Sequence, residues 1–150
     1  MDEKLLQKVL FAQMATGNAM EISVVGISMN PTLYEGDVIT VQRQKKYEIG
    51  DILVFTYKNE ELLVHRLLEK KDGVFFCKGD NAFRLEDISD NQIVGKVIAI
   101  NGHPIRPCPA RLIALSMQVN RAFVRCRYDA EKTKQSSIYQ LYQKFILEGS

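Results

Sequence analysis

Two residues of this chain, a serine and a histidine, are of types that can serve as nucleophile and general base. Ser28 lies in the segment GISMNPTLYEGDVITV, Gly26 to Val41, directly after the apolar run Ile22–Gly26. Pro31 follows closely, and its ring restricts Asn30 to extended or turn geometry. The hydroxyl of Ser28 is therefore held at a strand end, on a loop that cannot relax into a helix. Such fixed exposure is the first requirement of a serine nucleophile. Serine is also a common turn former, so its position alone leaves a purely structural role open. His65 lies in the segment LLVHRLLEKKDGVFFCKGDN, Leu62 to Asn81, inside an apolar strand. Alternation places Leu63, His65 and Leu67 on one face and Leu62, Val64, Arg66 and Leu68 on the other. An imidazole there needs a partner, since burial without a hydrogen bond is costly. It is either a satisfied structural histidine or a general base, because imidazole accepts a hydroxyl proton near neutral pH.

The elements that must position these two side chains follow from periodicity. Leu5, Leu6, Val9, Leu10, Gln13 and Met14 recur at helical spacing, which predicts an amphipathic helix over residues 2–16, within an N-terminal segment 1–20. Residues 21–106 change to short β-rich runs: Ile22–Gly26, Asp37–Arg43, Asp51–Lys58, Leu62–Lys70, Val74–Lys78 and Gln92–Asn101. Turn signals such as Asp72-Gly73, Gly79-Asp80-Asn81 and Asn101-Gly102 separate them. The expected fold is mainly β, an antiparallel and partly closed domain, with an N-terminal helix and C-terminal helices. In the last segment, 107–150, Leu112, Leu115, Val119, Ala122, Phe123 and Cys126 form one helical stripe. After a polar break at Asp129–Ser137, Ile138, Leu141, Tyr142, Phe145 and Ile146 form another.

Composition narrows the function classes. A chain of 150 residues with 46% hydrophobic and 25% charged residues can bury a real core. A net charge of +2 gives no reason to expect nucleic acid or an acidic partner. Cys77, Cys108 and Cys126 form no CxxC pair and no zinc spacing, so they read as reduced thiols in the cytoplasm or as core filler, and no metal or cofactor is expected. No stretch offers about 20 consecutive apolar residues, so the expectation is a cytoplasmic chain that does not cross a membrane. Between Arg106 and Arg127 there are five arginines and no acid, which makes residues 110–127 a candidate for peripheral contact with anionic lipid. The competing reading packs the apolar stripe of that helix on the β-domain or on another subunit.

Taken in order, five blocks resemble the signal peptidase I family. Gly26-Ile27-Ser28-Met29-Asn30-Pro31-Thr32-Leu33 followed by Gly36-Asp37 matches its nucleophile box. Gly50-Asp51-Ile52 with Val54-Phe55, then Val64-His65-Arg66, Lys78-Gly79-Asp80-Asn81 and Val94-Gly95-Lys96-Val97 match the blocks that follow. The resemblance implies a serine endopeptidase with Ser28 as nucleophile and His65 as base, like the branch that has histidine where bacterial relatives have lysine. Should the base instead be a lysine, Lys78 and Lys96 are the candidates. An acid after the KGDN box is implied to orient the imidazole, with Asp87 the nearest match and Asp80 the alternative. Substrate is implied to bind as an extended strand with small side chains near the cut, beside apolar edges at residues 22–27 and 62–68. Ile27, Met29 and Leu63 are the residues expected to touch it. His103, in a hairpin turn, reads as structural.

The chain departs from the resemblance in one respect. Signal peptidases have a membrane span before the nucleophile box, where this chain has a short, charged amphipathic segment. A working peptidase of this kind would mature a peptide or precursor protein in the cytoplasm or at a membrane surface. LexA-type self-cleaving repressors share the β-fold, but this chain shows no helix-turn-helix ahead of its core. The alternative from another class is a non-catalytic module that grips a peptide or a partner on a peptidase scaffold.

Overall fold

Period-two alternation in the β-rich runs resolves into two apolar layers, one on each face of a single antiparallel sheet. The computed structural model describes residues 18–148, so the helix expected over residues 2–16 lies outside the described residues. The strands described are β1 (Met20–Ser23), β2 (Val38–Gln42), β3 (Ile52–Tyr57), β4 (Glu61–Lys71), β5 (Val74–Lys78), β6 (Glu86–Ile88), β7 (Ile93–Ile100) and β8 (His103–Pro104). They run in the order β1-β2-β7-β3-β4-β5-β6, with β8 beside β7, and every pairing is antiparallel. Each expected strand is found within a few residues of its expected ends, and β5 matches at both. Strands β6 and β8 are additions, only three and two residues long.

Central strand β3 shows why the sheet has two cores. It pairs with β7 on one side and β4 on the other, and Ile52 to Phe55 are all buried. Ile52 and Val54 join Val24, Met29, Leu33, Ile39, Val41, Val94 and Val97 in one layer. Leu53 and Phe55 join Tyr47, Leu67, Cys77, Ile88 and Ile93 in the other. Irregularities at Thr40/Val41, Val54/Phe55 and Leu67/Glu69 bend the strands and coil the sheet into a half-barrel. The β4–β5 and β7–β8 hairpins turn on Asp72-Gly73 and Asn101-Gly102, where both residues of each pair have positive φ.

Three helices follow the sheet: α1 (Ala110–Arg125), α2 (Ala130–Lys134) and α3 (Ser137–Leu147). The stripe Leu112, Leu115, Val119, Ala122 and Phe123 is buried, and a third apolar cluster packs Leu112, Leu115 and Val119 of α1 against Tyr142 and Ile146 of α3. The polar break contains α2, whose N-cap Asp129 accepts from the backbone N–H of Lys132, and Ser136 caps α3 in the same way through Tyr139. Leu141, expected on the common face of α3, is 43% exposed. Arg111, Arg121 and Arg125 lie on the exposed side of α1. Among the described residues no helix is long and apolar enough to cross a membrane, no cluster of metal-ligating side chains occurs, and all three cysteines are free.

Three charged side chains, Arg66, Asp80 and Lys78, are buried between the sheet and these helices. Arg66 and Asp80 form a forked pair, with Nε to Oδ1 at 2.9 Å and Nη2 to Oδ2 at 2.8 Å. The guanidinium also donates to the carbonyl of Gly50, and Asp80 accepts from the Thr32 hydroxyl at 2.6 Å. Lys78, fully buried, donates to Ser116 Oγ at 2.8 Å and to the Gly79 carbonyl at 3.1 Å. Burial lowers the Lys78 pKa to about 8.

Removing one member of a buried pair strands the other charge. Asp80→Ala is therefore expected to cost about 3–5 kcal/mol in urea unfolding; a loss under about 1 kcal/mol would contradict this account of the pair. For Lys78 the sign is different. The folded state holds its proton less tightly than the unfolded chain, so stability rises with pH between about 8 and the ordinary lysine value. Relative to Lys78→Met, the wild type should gain about 1 kcal/mol per pH unit across that window. Parallel stability curves for the two proteins would show that the ammonium carries no burial penalty.

Candidate active site

Ser28 sits on the loop between β1 and β2, and three kinds of contact fix that loop. Met29 and Leu33 bury their side chains in the first apolar layer. Backbone bonds from Asn30 to Ile27 and from Leu33 to Met29 wind the loop into a turn. Gly26 enters it at φ +85, a conformation that suits glycine. The third contact comes from far along the chain. The Asn81 backbone N–H donates to the Ser28 carbonyl at 2.8 Å, and the Asn81 side-chain amide donates to the Ile27 carbonyl at 3.1 Å.

His65 is placed by strand register. It pairs with Leu53 across β3–β4 and projects into the second layer, where the Phe55 ring meets it edge-on at 6.1 Å. Its Nε2 is 3.0 Å from Ser28 Oγ, and its Nδ1 is 2.6 Å from Oε1 of Glu86. An ionised carboxylate can only accept, so Nδ1 carries the imidazole proton in this arrangement. Nε2 then presents its lone pair to the serine hydroxyl, the tautomer a general base requires. Both His65 and Glu86 are buried, while Ser28 stays partly open to solvent.

The acid beside the imidazole is thus neither residue expected from sequence. Asp87 faces outward from β6 and is exposed, because Glu86 and Ile88 take the two inward positions of that three-residue strand. Register on β5 pairs Glu86 with Cys77 and Asp87 with Phe76, so one step along the strand reverses the face. Asp80 is committed to Arg66 and Thr32. The signal that could have found Glu86 was available: Asp87 stands one residue out of register with the family spacing. Met29 is a second correction. It was expected to touch substrate, but it is 2% exposed, and its sulfur accepts from the Asp80 N–H. Ile27, by contrast, is 65% exposed on the loop, and Leu63 is half-buried two residues before His65 on the same strand face. The lysine candidates face other partners: Lys78 turns toward Ser116, and Lys96 lies 3.6 Å from Asp51.

Neighbouring backbone completes the site. A Cβ at Gly79 would lie 2.5 Å from the Ser28 carbonyl oxygen and 3.1 Å from His65 Nε2, so only glycine fits there. On the open side, β4 is longer than its partner β5. Residues 61–65 pair with β3 alone, which leaves one edge of the strand unpaired beside Ser28 and His65. Val25, 83% exposed, and Ile27 lie on the Ser28 loop.

No curated protein matches this chain. A family model described as Peptidase S24-like matches residues 3–98, a span that takes in Ser28, His65 and Glu86 and ends before α1. Together with the half-barrel fold, that match means the chain belongs to the Peptidase S24-like family, a peptidase-type family of the LexA and signal peptidase I-like superfamily.

Proposed function

We propose that this protein is a serine endopeptidase in which Ser28 is the nucleophile, His65 the general base and Glu86 the carboxylate that orients the imidazole. The observation that carries the proposal is the unbroken chain of hydrogen bonds from Ser28 Oγ through both ring nitrogens of His65 to Glu86. Oγ attacks the scissile carbonyl as Nε2 takes its proton, and a tetrahedral oxyanion forms. The Ser28 backbone N–H is the proposed donor to that oxyanion. Collapse of the intermediate expels the amine, which leaves with the proton from Nε2, and an acyl group remains on Oγ. Water, deprotonated by the same nitrogen, then releases the new carboxylate. Glu86 accepts from Nδ1–H throughout and stabilises the imidazolium as it forms.

Substrate in this reading is an extended segment laid along the free edge of β4 at residues 61–65, held by backbone hydrogen bonds. Its side chains meet Ile27 and Leu63 on either side of the cut. A leader-type peptide or precursor with small residues at the cut is the class that the resemblance to signal peptidases suggests. A histidine base also suits a site open to water, because it needs no large desolvation to act near neutral pH.

Mass spectrometry of a peptide library incubated with the wild type and four variants tests the reading. Ser28→Ala and His65→Ala are expected to abolish cleavage, and Glu86→Gln to slow it by roughly 10²–10⁴-fold through loss of the correct tautomer. Asp87→Asn should stay within about threefold of wild type, as expected for an exposed side chain. Unchanged cleavage by Ser28→Ala would overturn the mechanism. Peptide binding by the wild type with no cleavage would favour a binding module on a peptidase scaffold.

A further inference from the structure

The match to the peptidase family ends at residue 98, yet Asn120 and Tyr142, both beyond it, donate to carbonyls of the turn that carries Asn81. Two N–H groups of this turn, Gly79 to Phe83, face one side, and three of its carbonyls accept from the other. Toward the nucleophile loop, Asp80 N–H meets the Met29 sulfur and Asn81 N–H meets the Ser28 carbonyl. Toward the helices, the Gly79 carbonyl accepts from Lys78 Nζ, which is itself bound to Ser116 of α1. The Asp80 carbonyl accepts from the Tyr142 hydroxyl of α3 at 2.6 Å, and the Phe83 carbonyl from the Asn120 amide of α1 at 2.8 Å. Tyr142 is 1% exposed, its ring lies 5.1 Å from Lys78 Nζ, and the Phe83 ring stacks on Phe123 of α1 at 5.2 Å.

We infer that Tyr142, with Ser116 and Asn120, positions the catalytic serine: the C-terminal helices hold the Gly79–Phe83 turn from behind and thereby set the Ser28–His65 distance. The inference rests on the peptidase reading and extends it to residues outside the family match. The Gly79 backbone lies directly against the Ser28 carbonyl and His65 Nε2, so the turn forms one wall of the dyad. A turn released on its helix side would loosen the Asn81 bond to the Ser28 carbonyl. Displacement of a nucleophile by less than 1 Å lowers turnover without weakening the binding of a substrate held elsewhere by its backbone. Tyr142 touches neither the reacting atoms nor the proposed substrate edge. Its role is therefore positioning.

Tyr142→Phe tests this on the full chain, since the ring stays over Lys78 and only the hydroxyl is lost. Expected are a kcat about tenfold lower with KM within twofold, equally slower labelling of Ser28 by a fluorophosphonate, and faster hydrogen exchange at the Asn81 amide. Ile146→Val, which loosens α3 packing but leaves the Tyr142 hydroxyl in place, serves as the stability control and should keep wild-type kcat. Unchanged kcat in Tyr142→Phe would overturn the inference, as would an equal loss in Ile146→Val. A wild type that neither cleaves nor labels would sink the peptidase reading instead. Exchange at Asn81 would then decide by itself: unchanged exchange in Tyr142→Phe would overturn the coupling of helix to turn, and faster exchange would support it.

Discussion

A Cβ on Gly79 would lie 2.5 Å from the Ser28 carbonyl oxygen, so the turn that begins there meets the Ser28 loop as bare backbone. Much of the site is arranged around that close approach. It brings Asn81 within reach of two carbonyls of the loop, and it sets the Gly79 backbone against Nε2 of His65. It also directs Asp80 inward to Arg66, which lies next to His65 on β4 and points to the opposite face. Register, turn and loop thus constrain one another, and each contact joins segments far apart in the chain.

The polar network beneath the site explains how a short loop can stay rigid. Arg66, Asp80 and Thr32 form a buried, hydrogen-bonded group, in which each lost partner would leave a desolvated charge or dipole. The loop bearing Ser28 cannot slide without breaking the Thr32 bond to Asp80. Lys78 extends the same logic toward the helices, where a buried ammonium with few partners favours the one geometry that supplies Ser116 and the Gly79 carbonyl.

Much of this was legible in the amino-acid sequence, for identifiable physical reasons. Alternation and turn pairs delimit β5 to the residue, because Asp72-Gly73 starts the strand and Gly79-Asp80-Asn81 stops it. Ser28 and His65 could be paired through their sequence blocks, although nothing in local spacing shows that they meet. Strand β6 was invisible: three residues, two of them acidic, carry no hydrophobic period. Without that strand the pleat gives no sign of which of Glu86 and Asp87 faces inward, and only the one-residue offset of Asp87 from the family spacing points to Glu86. Met29 misled for a similar reason, since the residue after a candidate nucleophile looks exposed until the loop is seen to turn its side chain into the core. The role of Tyr142 was beyond reach, because its partner is a backbone carbonyl 62 residues away and leaves no mark on side-chain pattern.

The Tyr142 bond to the Asp80 carbonyl also bears on when the site is assembled. Chains are synthesised from the N-terminus, so the nucleophile loop and β4 leave the ribosome well before α3 does. Until α3 docks, the Gly79–Phe83 turn lacks one of the supports on its far side, and the sheet behind it depends on pairings of long sequence separation that form slowly. Order at the site is therefore tied to the synthesis and docking of α3. A nascent chain that has not yet made α3 would hold the Ser28 loop less firmly than the complete fold does.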